Sequence, residues 1–345
     1  MSLESKLANL TLGDAASVVD TIKADGVEKS GFASNISGLI AKCGSKDEAE
    51  ALAAFATVKA VAEGAVEAEA FNAQCLSTII GQATSKSPAV KTAAAETAIA
   101  ICKNITPFAM KSLLPGIFAQ LPVEIKWPAR ELALQCVSVF HEKAPKQLGN
   151  ALPEIVPEVT ACMWDTKKQV KVAATDAMKT ACEVIGNRDI EHMTGKIITA
   201  ITKPKEVPEI MHQMAGVTFV QSVECPALAM VVPLLLRGLR EKTTATKRQS
   251  AVIIDNMSKL VDNPLDAAPF LPLLLPALET NAEAIADPEA RDVTANAVLQ
   301  LKRLKGLADK QASVRGDTSK IVGLLKNSFG ADDSNANLNT IFEHA

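Results

Sequence analysis

Histidine, cysteine and the cationic side chains are the residue types in this chain whose placement could do chemistry. The histidines are His141, His192, His212 and His344; no two stand at i, i+4, and none pairs with a cysteine at metal-ligand spacing. The cysteines, Cys43, Cys75, Cys102, Cys136, Cys162, Cys182 and Cys225, form no C-x-x-C pair, and most lie in apolar helical contexts such as Ile101-Cys102 and Gln135-Cys136-Val137. An odd, scattered set argues against a disulfide framework and reads as reduced, buried thiols in an intracellular protein. No P-loop string, no G-x-G-x-x-G and no G-x-S-x-G occurs. No catalytic, cofactor-binding or metal-binding residue is therefore expected.

What remains is charge. The chain carries a formal net charge of −3, but unevenly: residues 1–90 hold 7 basic and 11 acidic side chains, whereas residues 163–260 hold 14 and 10. Local excess governs steering more than net charge does. Lys167, Lys168 and Lys171 cluster at one point, Lys203 and Lys205 at the next, and Arg237, Arg240, Lys242, Lys247 and Arg248 at a third. If these are successive turns of a repeat array, they form a basic ladder suited to a phosphate backbone, where neutralised phosphates release counterions. The competing reading is that a recurring Lys or Arg ties neighbouring repeats together. Lys171, Arg248 and Arg291 occupy such a recurring position, which leaves Lys167, Lys168, Arg237, Arg240 and Lys242 as the better partner contacts. Trp164, one of two tryptophans, lies among them in Met163-Trp-Asp-Thr-Lys-Lys168. A plug between adjacent repeats is the preferred reading for it, and a partner anchor the alternative.

The elements that carry these residues are helical. Aromatic residues make up 3% of the chain with no Tyr, against 48% hydrophobic residues overall. Ala-rich, closely packed helices suit that composition better than a deep sheet core. A short motif, an apolar or basic residue, then Lys or Arg, then Ala or Thr three residues on, recurs at Lys91, Arg130, Lys171, Arg248 and Arg291. The separations are 39, 41, 77 and 43 residues, and the missing copy falls near His212, where the basic residue has been replaced. Pro115, Pro157, Pro233 and Pro276 keep the same step, each inside an apolar stretch. A proline in a helix interior removes a hydrogen bond and bends the helix. A period near 40 with such a bend in each first helix predicts HEAT-like helix pairs, an all-α solenoid of about seven repeats. Asp165-Thr166 and Asp287-Pro288 read as the N-terminal caps of second helices. The expected layout is a solenoid over 1–306, a linker over 307–316, and the incomplete start of a helical bundle over 317–345. The N-terminus shows no secretory pattern, and no stretch approaches the ~20 apolar residues of a membrane span.

Several strings go beyond HEAT periodicity. Besides Met163–Lys168 they are Glu206-Val-Pro-Glu209, Met230-Val-Val-Pro-Leu-Leu235, Arg237-Gly-Leu239, Ser250-Ala-Val-Ile-Ile-Asp-Asn-Met257, Lys259-Leu-Val261 and Ile285-Ala-Asp-Pro-Glu-Ala-Arg291. In these the chain closely resembles the N-terminal HEAT domain of fungal-type translation elongation factor 3, strongly from about residue 150 to 306 and more thinly before it. The tail from Asp317 resembles the start of the four-helix bundle that follows in that family. Full-length members continue into two ATP-binding cassettes and a chromodomain-like insertion, which these residues lack, so the chain reads as a fragment or a shortened paralogue. The resemblance implies a cytoplasmic, monomeric module that docks on the small-subunit head of the ribosome, through ribosomal RNA and protein, in support of exit-site tRNA release. ATP belongs to the missing cassettes. Two other readings compete: a regulatory scaffold similar to the activator of the kinase that senses uncharged tRNA (compare Ala268-Pro-Phe-Leu-Pro272), and a generic protein-binding solenoid.

Overall fold

The computed structural model describes residues 3–316, with the side chains of 314–316 left out. Every regular element among these residues is helical. The helices of six or more residues are α1 (Leu3–Ala8), α2 (Ala15–Asp25), α3 (Phe32–Cys43), α4 (Glu48–Gly64), α5 (Leu76–Gly81), α6 (Pro88–Asn104), α7 (Met110–Phe118) and α8 (Trp127–Lys143). They continue as α9 (Pro145–Cys162), α10 (Lys168–Cys182), α11 (Thr194–Thr202), α12 (Val207–Ala215), α13 (Cys225–Leu239), α14 (Thr244–Lys259), α15 (Leu271–Ala284) and α16 (Pro288–Gly316). The chain divides into two compact units. Among the described residues, the first takes those up to Gln221 together with Cys225–Gly238, and the second takes Ser222–Glu224 and 239–316.

In the first unit the helices pair as α3–α4, α5–α6, α7–α8, α9–α10 and α11–α12, and the second helices α2, α4, α6, α8 and α10 pack each against the next. Small side chains permit this. Ala53, Ala54, Ala94, Ala98, Ala129, Ala133, Ala174 and Ala177 are all buried. Around them Phe32, Phe55, Leu76, Ile79, Leu113, Ile117 and Phe140 fill the core. No pair buries its own apolar face, so stacking supplies the hydrophobic stabilisation, about 25 cal/mol per Å² of apolar surface removed from water. In the second unit α14 and α15 both pack on α16.

Pro115 lies inside α7, Pro157 inside α9, Pro233 inside α13 and Pro276 inside α15, and α7, α9 and α15 are each the first helix of a packed pair, as the spacing predicts. α9 carries a further interior proline, Pro153. The Asp287 side chain accepts from the Glu289 and Ala290 amides at 2.9 and 3.5 Å and caps α16 as expected.

Two expectations are corrected. Residues 307–316, read as a linker, are helical and complete α16, because Leu301, Leu304 and Ala308 continue the buried face past Gly306. Asp165 is not an N-cap: α10 starts from Lys167, and Asp165 instead pairs with Arg130. The apolar stretch 71–80 is divided among short elements. It breaks into a 3-10 turn at Ala73–Cys75 before α5, flanked by other single turns between Val66 and Thr84. The helices expected within 317–345 lie outside the described residues.

Candidate nucleic-acid interface

Three segments of the first unit converge on one spot. The turn after α9 carries Trp164, Asp165, Lys167 and the start of α10 at Lys168. α11 ends at Thr202, followed by Lys203 and Lys205. α13 brings Arg237 in its last turn.

Asp165 shapes the first segment. Its Oδ1 accepts from the Lys167 amide at 2.6 Å, while Oδ2 pairs with the Arg130 guanidinium. Arg130 also donates through Nε to the Leu121 carbonyl at 3.0 Å, so it joins α8 to both adjoining turns. Both side chains are sealed from solvent, 6% and 3% exposed, which makes the turn rigid and removes the Asp165 charge from the surface. The pair also bears on Cys162: burial raises its pKa, and the adjacent Arg130 opposes that rise.

Arg237 organises the rest. It is a helical residue and not a turn residue, as the sequence reading had it. Its Nη1 donates to the Ile201 carbonyl at 2.9 Å and the Ala200 carbonyl at 3.4 Å, in the last turn of α11, where carbonyls lack intrahelical partners and the dipole favours a cation. The same guanidinium stands 5.4 Å from the centroid of the Trp164 ring. Trp164 thus meets the Arg237 side chain of a later helix, yet it remains 48% exposed.

Around this centre Lys167, Lys168, Lys203 and Lys205 are exposed. Lys203 pairs with Glu206 at 3.1 Å. Lys167, Lys168 and Lys205 form no ion pair among the described residues. The chemistry on offer is a cationic rim beside an aromatic face.

The remaining candidates belong to the second unit. Arg240 and Lys242 are exposed beyond α13, and Lys247 is half-buried in the first turn of α14. Arg248 is engaged internally: its Nη2 meets Glu289 Oε1 at 2.5 Å, tying α14 to α16. Arg291 donates to the Ile285 and Ala286 carbonyls at 3.1 and 3.3 Å. The arginines at the recurring position therefore do hold repeats and turns together, whereas Lys171 at that position is exposed. Sequence reasoning missed the Arg130–Asp165 pair, although an arginine at the recurring position and an acid in the following turn were both visible.

Elsewhere, a groove of about 330 Å³ runs between α8 and α10, lined by Glu131, Gln135, Ser138, Lys168, Val172 and Asp176, among others. Burial raises the Glu131 carboxyl above its usual range. Ser138 donates to the Leu134 carbonyl at 3.3 Å and faces no base in that bond. Among the described residues no three His, Cys, Asp or Glu side chains gather as metal ligands. No described helix is long and apolar enough to cross a membrane. His141 lies 3.8 Å from both Glu142 and Glu183, and its Nδ1 donates to the Ser138 carbonyl at 2.7 Å. His212 is exposed in the last turn of α12, and His344 lies outside the described residues.

Two family models match the chain: the elongation factor 3 N-terminal HEAT repeat over residues 13–178, and the elongation factor 3/GNC1 HEAT repeat over residues 206–312. Elongation factor 3 of Phytophthora infestans is 42% identical over 254 residues, 74% of this chain and 24% of that protein. Elongation factor 3B of Saccharomyces cerevisiae is 42% identical over 252 residues, 72% of this chain and 24% of that protein. Elongation factor 3 of Candida albicans is 38% identical over 288 residues, 83% of this chain and 27% of that protein. The chain spans about a quarter of the length of these relatives. It belongs to the elongation factor 3 family, of which it carries the HEAT repeats.

Proposed function

We propose that this chain is a ribosome-docking module of an elongation factor 3-like protein, meeting ribosomal RNA and protein on the small-subunit head and so supporting exit-site tRNA release during elongation. The observation that carries the reading is the rim of Lys167, Lys168 and Lys205 beside the Trp164–Arg237 pair, with the nearby acids Asp165 and Glu206 already matched by Arg130 and Lys203. Such a rim neutralises RNA phosphates and releases their counterions. Arg240, Lys242 and Lys247 extend the same chemistry on the second unit. In this reading the module acts in the cytoplasm as a monomer, needs no cofactor, and binds without catalysing; ATP hydrolysis belongs to cassettes outside these residues.

A second reading has one observation in its favour. The model matching residues 206–312 is described for elongation factor 3 and GNC1 together, which suits a regulatory scaffold. Co-sedimentation of the chain with purified ribosomes over a salt series separates the two. The docking reading expects binding at low salt that weakens steeply as salt rises. Absence of binding at low salt would give the scaffold priority.

A further inference from the structure

We propose that Trp164 is a stacking platform for an unpaired base of single-stranded RNA, with Lys167 and Lys168 neutralising the phosphates on either side. This rests on the docking reading and names the form of RNA that the first unit meets.

A tryptophan that served only as a plug would be covered by its own chain. Trp164 is held on one side by the Arg237 guanidinium, 5.4 Å from the ring centroid, yet 48% of it stays open. Arg237 in turn is fixed by the Ile201 carbonyl at 2.9 Å, so the ring has a defined orientation before any partner arrives. Little conformational entropy then remains to be lost on binding. The cations around it select the partner's charge. Lys167, Lys168, Lys203 and Lys205 are exposed, Asp165 is sealed against Arg130, and Glu206 is matched by Lys203. An open aromatic face inside a cationic rim is the arrangement on which successive bases of single strands stack, because every base has a π-face and every linkage a phosphate. A paired base offers no face, since its neighbours in the duplex already cover it.

The experiment uses the full chain carrying Trp127→Phe, so that Trp164 is the sole tryptophan. Trp127 is the first residue of α8. The probes are an oligouridylate and an RNA hairpin duplex. The expected result is quenching of Trp164 fluorescence by the oligouridylate and little by the duplex. In the otherwise unchanged chain, Trp164→Ala weakens oligouridylate binding on the order of tenfold and leaves duplex binding as it was, and Trp164→Phe restores most of the loss. Unquenched fluorescence on addition of bound oligouridylate, or equal affinity of Trp164→Ala for both probes relative to the unchanged chain, would overturn the proposal. Circular dichroism checks that each variant folds, and the Phe variant decides the matter if the Ala variant does not. Ribosome co-sedimentation keeps the two readings apart. Docking that persists without quenching sinks the platform alone, and quenching without docking sinks the ribosome reading alone.

Discussion

Arg130 and Asp165 form an ion pair sealed from solvent, joining the first turn of α8 to the turn that precedes α10. Each partner is buried only because the other matches it. Removal of one leaves an uncompensated charge, so Asp165→Ala or Arg130→Ala should lower stability by about 3–5 kcal/mol in urea denaturation. Replacing both by well-packed apolar residues should cost much less. A single-variant loss below about 1 kcal/mol would mean that water reaches the pair.

Arg237 is expected to matter to stability before it matters to any partner. It caps the last carbonyls of α11 and stacks on Trp164. Arg237→Ala should cost about 1–2 kcal/mol and change Trp164 fluorescence in the free protein. Arg237→Lys should restore little, because the planar fork that reaches both the carbonyls and the ring is lost.

Alkaline pH should destabilise the chain through its buried thiols. Burial pushes Cys182 up to about 12; contact with Cys75 and then burial raise Cys43, and burial followed by contact with Cys136 raises Cys102. In the unfolded chain a thiol ionises near 8.5. The unfolded state therefore binds fewer protons than the native state above that pH, and stability falls as pH rises from about 9 towards 12. The urea midpoint followed across that window should drop, and Cys182→Ala should reduce the drop. A thiol reagent at pH 8 should reach half-buried Cys225 well before the other six.

Asp287 gives a test within the second unit. Its side chain serves two amides at the start of α16. Asp287→Ala should cost about 1 kcal/mol, and Asp287→Asn or Asp287→Ser only a fraction of that, measured by thermal or urea unfolding.

The repeat was legible because HEAT packing writes itself into the sequence twice, as interior prolines and as a basic residue ahead of buried alanines, both about 40 residues apart. Pro115 through Pro276, the Asp287 cap and the burial of six of the seven cysteines followed from local pattern alone. What was not legible was where long side chains end. Arg237 was read as a turn residue free for a partner, but it reaches the Ile201 carbonyl and the Trp164 ring of other repeats. Arg248 stood in the basic ladder and also at the recurring position read as tying repeats together, and its pairing with Glu289 follows the second of these readings. The Arg237 contacts span more than thirty residues of sequence, and neither periodicity nor capping rules encode them. The helix through 307–316 was missed for a different reason: Gly306 reads as a terminator, yet tertiary burial of Leu304 and Ala308 carries the helix through it.

The central claim is that the exposed lysines beside Trp164 dock on RNA phosphates. The most direct measurement is ribosome binding against salt for the unchanged chain and for Lys167→Glu/Lys168→Glu/Lys205→Glu. Each phosphate contact contributes about one to the slope of log affinity against log salt. The account predicts weaker binding with a slope shallower by about two to three. Equal affinity and an unchanged slope would contradict it.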